Sequence, residues 1–350
     1  MAQQEQQPHR RRVRYQGTHP RNFKEKYKEL QPEKYGDTVE KLIARGHTPA
    51  GMHLPICVKE ILHFLEIQPG QKGLDATLGY GGHSSAMLRQ LAGQGHLYAL
   101  DVDPIEIVKT QARLESQGYG PEILTILRQN FRNLGAVAES YGPFDFMMAD
   151  LGVSSMQIDN PDRGFSYKAE GPLDLRMDPE QGRSAAQRLK EVSREELEGM
   201  LLENADEPYA AQLAKAITSA IRKGRPVETT TQLRQIIASA LAFLPEGERK
   251  DAVKKSSQRT FQALRIDVNG EFEALDAFLE QIPQALASGG RVAILTFHSG
   301  EDRLVKKALK RGLQAGDYAE IAKQVIRPSP EECGVNGRAR STKMRWAIRA

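Results

Sequence analysis

The sequence predicts an α/β protein in which a doubly wound, mostly parallel sheet carries a small helical domain inserted between two of its strands. Three observations point there. Apolar runs at Gly73–Leu78, His96–Asp101, Ile123–Arg128 and Phe144–Leu151 alternate with helical patterns at Ser84–Ala92 and Pro104–Ser116. The first two runs end in or near acidic residues, Asp75 and Asp101, and a glycine-rich turn, Gly79-Tyr80-Gly81-Gly82, follows the first. A fifth run, Arg291–Phe297, comes only after a stretch too long for a crossover, behind a Gly289-Gly290 turn.

Along the chain, residues 1–46 are polar, Gln-rich and basic and read as a flexible arm, with a short helical stretch near Phe23–Leu30. Order is expected from His53-Leu54-Pro55, where Ile56, Val58, Ile61, Leu62 and Leu65 form a helical stripe. The sheet domain should take 47–160 and 255–350, and the inserted domain 161–254. Within the insertion, Glu195–Leu202, Ala210–Arg222 and Thr231–Leu241 read as helices. The chain returns through Phe261–Val268 and a helix from Glu271 to Leu286, and Ile321–Ile326 with Lys343–Ile348 should close the sheet as a hairpin.

Composition narrows the function classes. The chain has 350 residues, long enough for two domains and for a core that needs neither disulfide nor metal. Its two cysteines, Cys57 and Cys333, lack CxxC spacing, so no metal site is expected and a reducing cytosol is the natural compartment. No apolar run is long enough to span a bilayer. Net charge is +4, but residues 1–36 hold nine Lys/Arg against four Glu, and no acid follows Glu332 in the basic C-terminal end. Two basic ends on a near-neutral body suggest a polyanionic partner.

The glycine turn reads G-x-G-G-x-S, with Ser84 where a dinucleotide fingerprint has its third glycine. That disfavours a nicotinamide dinucleotide and favours a cofactor without a pyrophosphate, S-adenosylmethionine first. Asp101 stands where a carboxylate grips a ribose diol. Asp103, before Pro104, is expected as a helix N-cap. Phe131 either stacks on adenine or sits in the core. Asp150-Leu151-Gly152-Val153-Ser154-Ser155 overlooks the cleft at the sheet's carboxyl edge, so Asp150 is a catalytic candidate. His298 is either an acid/base group or the cap of a helix starting at Ser299.

These blocks resemble the RsmH (MraW) family of bacterial small-subunit ribosomal RNA cytidine N4-methyltransferases. The matching stretches are GYGGHSS, DVDP, NFRNL, DLGVSSMQID, RGFSY, GPLDLRM, RTFQALRIDVNGE, GGRVAILTFHSGEDR and NGRARSTKMR, from about His53 to the C-terminus. The resemblance implies a class I S-adenosylmethionine-dependent methyltransferase, Rossmann-like, acting on 16S ribosomal RNA near the decoding site, free or in the small subunit. It leaves a homodimer open. Carried over by position, the cofactor contacts would be Gly81, Gly82, His83, Asp101, Phe131, Asp150 and Gln157. Arg163, Phe165, Arg176, Arg259 and Arg265 are the expected RNA contacts, the arginines on phosphates and Phe165 on a base. The chain departs from the family pattern at Ser256-Ser257-Gln258-Arg259, at Gly300 and at Ala205-Asp206-Glu207. The rival readings are a methyltransferase for another RNA or a protein, and a non-catalytic RNA-binding factor that keeps the cofactor fold.

Overall fold

A computed structural model describes residues 55–350. The expected basic arm over 1–46 lies outside the described residues. A seven-stranded sheet organises the rest. Its strands are β1 (Lys72–Asp75), β2 (His96–Asp101), β3 (Leu124–Arg128), β4 (Phe144–Asp150), β5 (Leu286–Thr296), β6 (Tyr318–Ile321) and β7 (Lys343–Arg349), in the order β3-β2-β1-β4-β5-β7-β6. The first five run parallel, and β7 lies antiparallel between β5 and β6. This doubly wound sheet is the class I methyltransferase architecture. The winding reverses between β1 and β4, so the cleft at their carboxyl ends is the switch point where such sheets bind ligands.

Helices cover both faces. On one, α1 (Val58–Leu65), α2 (Gly82–Leu91) and α3 (Pro104–Ser116) bury Ile61, Leu65, Met87, Leu88, Leu91 and Leu114 against the sheet. On the other, α4 (Leu134–Tyr141), α11 (Glu271–Ala285) and α12 (Ser299–Ala315) contribute Leu134, Val137, Phe278, Ile282, Val305 and Leu309. The central strand β4 is buried almost throughout, as its mostly apolar sequence requires, with Asp145 and the terminal Asp150 part exposed.

Between β4 and β5 lie α5 (Ser155–Asp159), α6 (Ala185–Glu191), α7 (Arg194–Ala205), α8 (Ala210–Arg222), α9 (Thr230–Ala240) and α10 (Glu246–Asn269). The helices from α6 to α10 share a separate apolar core that includes Leu189, Leu201, Leu213, Ile237, Phe261 and Leu264. The expected boundary at 254/255 falls inside α10, a continuous helix whose Phe261–Val268 half packs into that same core. Ser and Thr caps with reciprocal Gln contacts start α5, α6 and α9.

Two strand expectations change. The Gly289-Gly290 turn lies inside β5, not before it: β4 advances from Phe144 to Phe146 while β5 advances from Leu286 to Arg291, so the extra residues loop out. A side chain at Gly290 would lie 2.7 Å from the Ala287 carbonyl and 3.0 Å from that of Phe144. The closing hairpin pairs Tyr318–Ile321, not Ile321–Ile326, with β7. From Ile321↔Ala347 to the isolated bridge Ile326↔Met344, one strand advances further than the other, and the ladder breaks there.

Candidate functional site

The site is assembled at the carboxyl ends of β1, β2, β4 and β5. Asp75, at the end of β1, is fully buried and holds the glycine loop in place. Its carboxylate accepts from Ser84 Oγ at 2.6 Å and from the Thr77 N–H at 3.0 Å. Burial pushes its carboxyl up, and those hydrogen bonds and nearby His83 only partly oppose it. Thr77 Oγ1 in turn accepts the Asp150 N–H at 2.6 Å, tying the ends of β1 and β4 together.

The glycine loop is pinned from α3. Thr110 Oγ1 donates to the Gly79 carbonyl at 2.7 Å, and Arg113 donates to that of Tyr80 at 2.6 Å while its guanidinium covers the Tyr80 ring. Gly81 and Gly82 have a packing reason to lack side chains. A Cβ on Gly81 would meet Thr110 Cγ2 at 2.8 Å, and one on Gly82 would meet Pro55 at 2.7 Å. Gly79, at φ +48°, has nothing closer than 3.8 Å at that position, so it presents bare backbone to open space.

Asp101, ending β2, accepts from the Gly79 N–H at 2.7 Å and the Asp103 N–H at 2.9 Å. Burial still lifts its carboxyl to about 6, with those hydrogen bonds opposing the rise. Asp103 caps α3 through Oδ1, as expected, accepting from the Ile105 and Glu106 N–H groups. Its other oxygen carries a contact the sequence did not reveal: Gln157 Nε2 and Arg163 Nη1 both donate to it at 2.7 Å.

Asp150 is the least satisfied acid in the cleft. Oδ2 lies 3.6 Å from His83 Nδ1, while Oδ1 is buried without a hydrogen-bond partner. Burial raises this carboxyl to about 6, with His83 opposing and the Asp75 and Glu301 charges adding to the rise. His83 is itself fixed by Nε2 on the Ile56 carbonyl at 2.9 Å. Phe131 follows β3, half-buried, edge-on to Phe278.

His298 takes the capping role. It is the N-cap of α12, with Nδ1 3.5 Å from the Glu301 N–H; Nε2 lies 3.0 Å from Glu301 Oε1 but off the hydrogen-bond line. Burial alone would raise the Glu301 carboxyl. His298, Arg265 and the Phe297 N–H outweigh it and hold the group below the usual range. Arg265 and Glu301 together face the open side of Gly152, each 3.9 Å from where a Cβ would stand.

Several expected contacts are made inside the protein instead. Gln157 closes a capping box with Ser154 and donates to Asp103, so both ends of its amide are engaged. Arg163 is buried: besides Asp103 it donates to the carbonyls of Arg176 and Met177 at 3.1 and 2.8 Å. Phe165 is core of the insertion, not a stacking surface. Arg265 makes a two-point pair with Glu271 at 2.7 and 2.9 Å, and Arg176 does the same with Asp174 at 2.7 and 2.8 Å. Of the five expected RNA contacts, only Arg259 has its head group without an internal partner among the described residues.

One cluster escaped the sequence reading. The turn holding α13 (Pro330–Val335) returns to the start of α1, where Glu332 accepts the Cys57 N–H at 2.9 Å. Ligand atoms of Cys57, Glu60 and Glu332 lie within 4.8 Å of one another. Burial, followed by those two carboxylates, pushes the Cys57 thiol well above its usual range, which favours the protonated thiol.

Comparison with known proteins agrees with this geometry. The profile described as the MraW methylase family matches residues 50–350. A protein of Lachnoclostridium phytofermentans named ribosomal RNA small subunit methyltransferase H 1 is 66% identical over 342 residues, covering 98% of this chain and 93% of its own. A namesake from Agathobacter rectalis is 64% identical, covering 99% of both chains. The ribosomal RNA small subunit methyltransferase H 2 of Acholeplasma laidlawii is 53% identical, covering 97% of this chain and 98% of its own.

Proposed function

The chain belongs to the MraW methylase family, and from that premise we propose that it methylates the exocyclic N4 amine of a cytidine in small-subunit ribosomal RNA, near the decoding site. Its cofactor is S-adenosylmethionine. The cleft suits that molecule: Gly79 leaves space beside its Cα, Asp101 offers a carboxylate for a ribose diol, and the rim is acidic where a sulfonium needs counter-charge. Gly79, Asp101, Phe131, His83 and Asp150 would hold it. Bound there, it supplies a methyl group activated by its positive sulfur.

The observation that carries the reading is Asp150 at the end of β4, whose side chain is 30% exposed and whose Oδ1 has no hydrogen-bond partner. The cytosine amine is a weak nucleophile, because its lone pair is delocalised into the ring. As nitrogen gains the methyl group it gains positive charge, and an acceptor beside it counts for more in the transition state than before. Asp150 offers such an acceptor in a site that keeps part of its titration near neutral pH. His83 Nδ1 lies 3.6 Å from the opposite oxygen. The rest of catalysis is positioning, for which a loop pinned by Thr110 and Arg113 is suited. Arg259 is the proposed phosphate contact at the insertion.

The test is to incubate purified protein and labelled cofactor with small subunits or their RNA, then digest to nucleosides and analyse by mass spectrometry. Label on N4-methylcytidine supports the reading. Label on a 2′-oxygen, on carbon 5 or in protein overturns it.

A further inference from the structure

α12 carries Arg303, Lys306, Lys307, Lys310 and Arg311, all exposed. At 100° per residue they occupy one broad stripe, opposite the buried Val305, Leu309 and Gly312. From Arg303 to Arg311 the stripe is about 12 Å long. No carboxylate shares it. The helix's two acids are turned inward: Glu301 accepts the Phe297 N–H, and Asp302 is taken by Lys343 and Arg345 together. Arg303 has only a distant partner, Asp206 at 3.9 Å, and both groups are mostly solvent-exposed. The other four have no acid within ion-pair distance among the described residues.

Elsewhere several surface cations, Arg128, Arg183, Arg188, Lys190 and Lys255 among them, each sit against a carboxylate. On α12 the cations instead face one another at i,i+4, as 303/307, 306/310 and 307/311, an arrangement that disfavours an isolated helix. The helix also starts directly behind His298, at the carboxyl end of β5, so its first turn borders the cleft. The stripe is thus a run of positive charge leading away from the site.

We infer that this face of α12 binds the phosphates of the ribosomal RNA beside the target nucleotide, an inference that rests on the RNA substrate proposed above. The stripe would act as a track for the backbone and read no sequence.

The experiment uses the full chain and in vitro transcribed small-subunit ribosomal RNA, with affinity measured over a salt series. The variant is K306A/K307A/K310A/R311A. Each phosphate that the variant no longer neutralises should flatten the slope of log affinity against log salt by about 0.7, up to roughly 3 for all four. Cofactor affinity should not change. The melting temperature should hold or rise, because alanine favours helix and the like charges are gone. K306R/K307R/K310R, which keeps the charge, should keep the parental slope. As a second measurement, a photo-cross-linker at position 310, with assembled small subunits, should capture RNA. An unchanged slope for the alanine variant, or cross-links to ribosomal protein alone, would overturn the inference. Neither readout depends on which atom is methylated, so it can fail while the N4 product stands, and the reverse.

Discussion

Replacing Arg163 by Met separates two roles that its sequence position left open. The side chain is only 8% exposed and its partner Asp103 is fully buried, with Nη1 to Oδ2 at 2.7 Å. Removing the guanidinium leaves a buried carboxylate held only by Gln157 and two cap N–H groups, and it strips two carbonyls, those of Arg176 and Met177, of their donor. Breaking a buried pair from one side costs about 3–5 kcal/mol. At about 2.1 cal/mol/K per residue, roughly 300 ordered residues melt with an entropy near 0.6 kcal/mol/K, so the melting temperature should fall by about 5–8 °C. Adding Asp103→Asn removes the stranded charge but keeps an acceptor for the cap, so the double variant should be more stable than Arg163→Met alone. Thermal denaturation of the parent, both single variants and the double variant gives the cycle. RNA binding over a salt series gives the other half: a buried Arg163 leaves the slope untouched, whereas a phosphate contact would flatten it by about 0.7. A destabilisation below about 1 kcal/mol, no recovery in the double variant, or a flattened slope would refute the structural role, since the buried pair calls for several times that cost.

Two further outcomes concern the acids of the cleft. With its carboxyl near 6, Asp150 should give turnover at saturating cofactor an acid limb, falling about tenfold per pH unit below that point; Asp150→Asn should remove the limb and slow transfer about 10²–10⁴-fold. A profile flat from about pH 5 to 8 would contradict this. Since the group titrates higher folded than unfolded, its ionisation opposes folding as pH rises through about 6, and Asp150→Asn should gain more in melting temperature at about pH 8 than at about pH 5. Asp101→Ala should weaken S-adenosylmethionine binding at least tenfold by calorimetry, because each charge-assisted hydrogen bond removed is worth roughly 1.5–3 kcal/mol; equal affinity would show that Asp101 does not meet the ribose.

What the sequence disclosed was what short-range chemistry encodes. Strand-end acids, the cap at Asp103 and the helices of the insertion follow from residue type and spacing within a few positions. What it hid depends on partners far along the chain. Arg163 and Gln157 converge on Asp103 from more than fifty residues away, and Glu332 reaches Cys57 across 275 positions of sequence. An exposed phosphate-binding arginine and a buried structural one look alike in one dimension. The clue available for Arg265 was Glu271, six residues on, but α10 ends between them at Gly270, so no helical spacing rule links the two. Gly81 and Gly82 stand out in the sequence for their conformational freedom, and Thr110 and Pro55 give each a steric reason of its own.

The placement of the insertion also bears on how the chain is made. β4 pairs on one side with β1, which is synthesised before it, and on the other with β5, which follows more than a hundred residues later. At about 5–20 residues per second, that leaves the edge of β4 without its neighbour for roughly 7–27 seconds. Its sequence, Phe144-Asp145-Phe146-Met147-Met148-Ala149-Asp150, is apolar enough to recruit another nascent chain. The intervening segment is mainly helical, so it can compact as it emerges and deliver β5 to a nearby edge. Variants that unsettle the insertion's core should therefore lower soluble yield during expression more than they lower the stability of the finished protein.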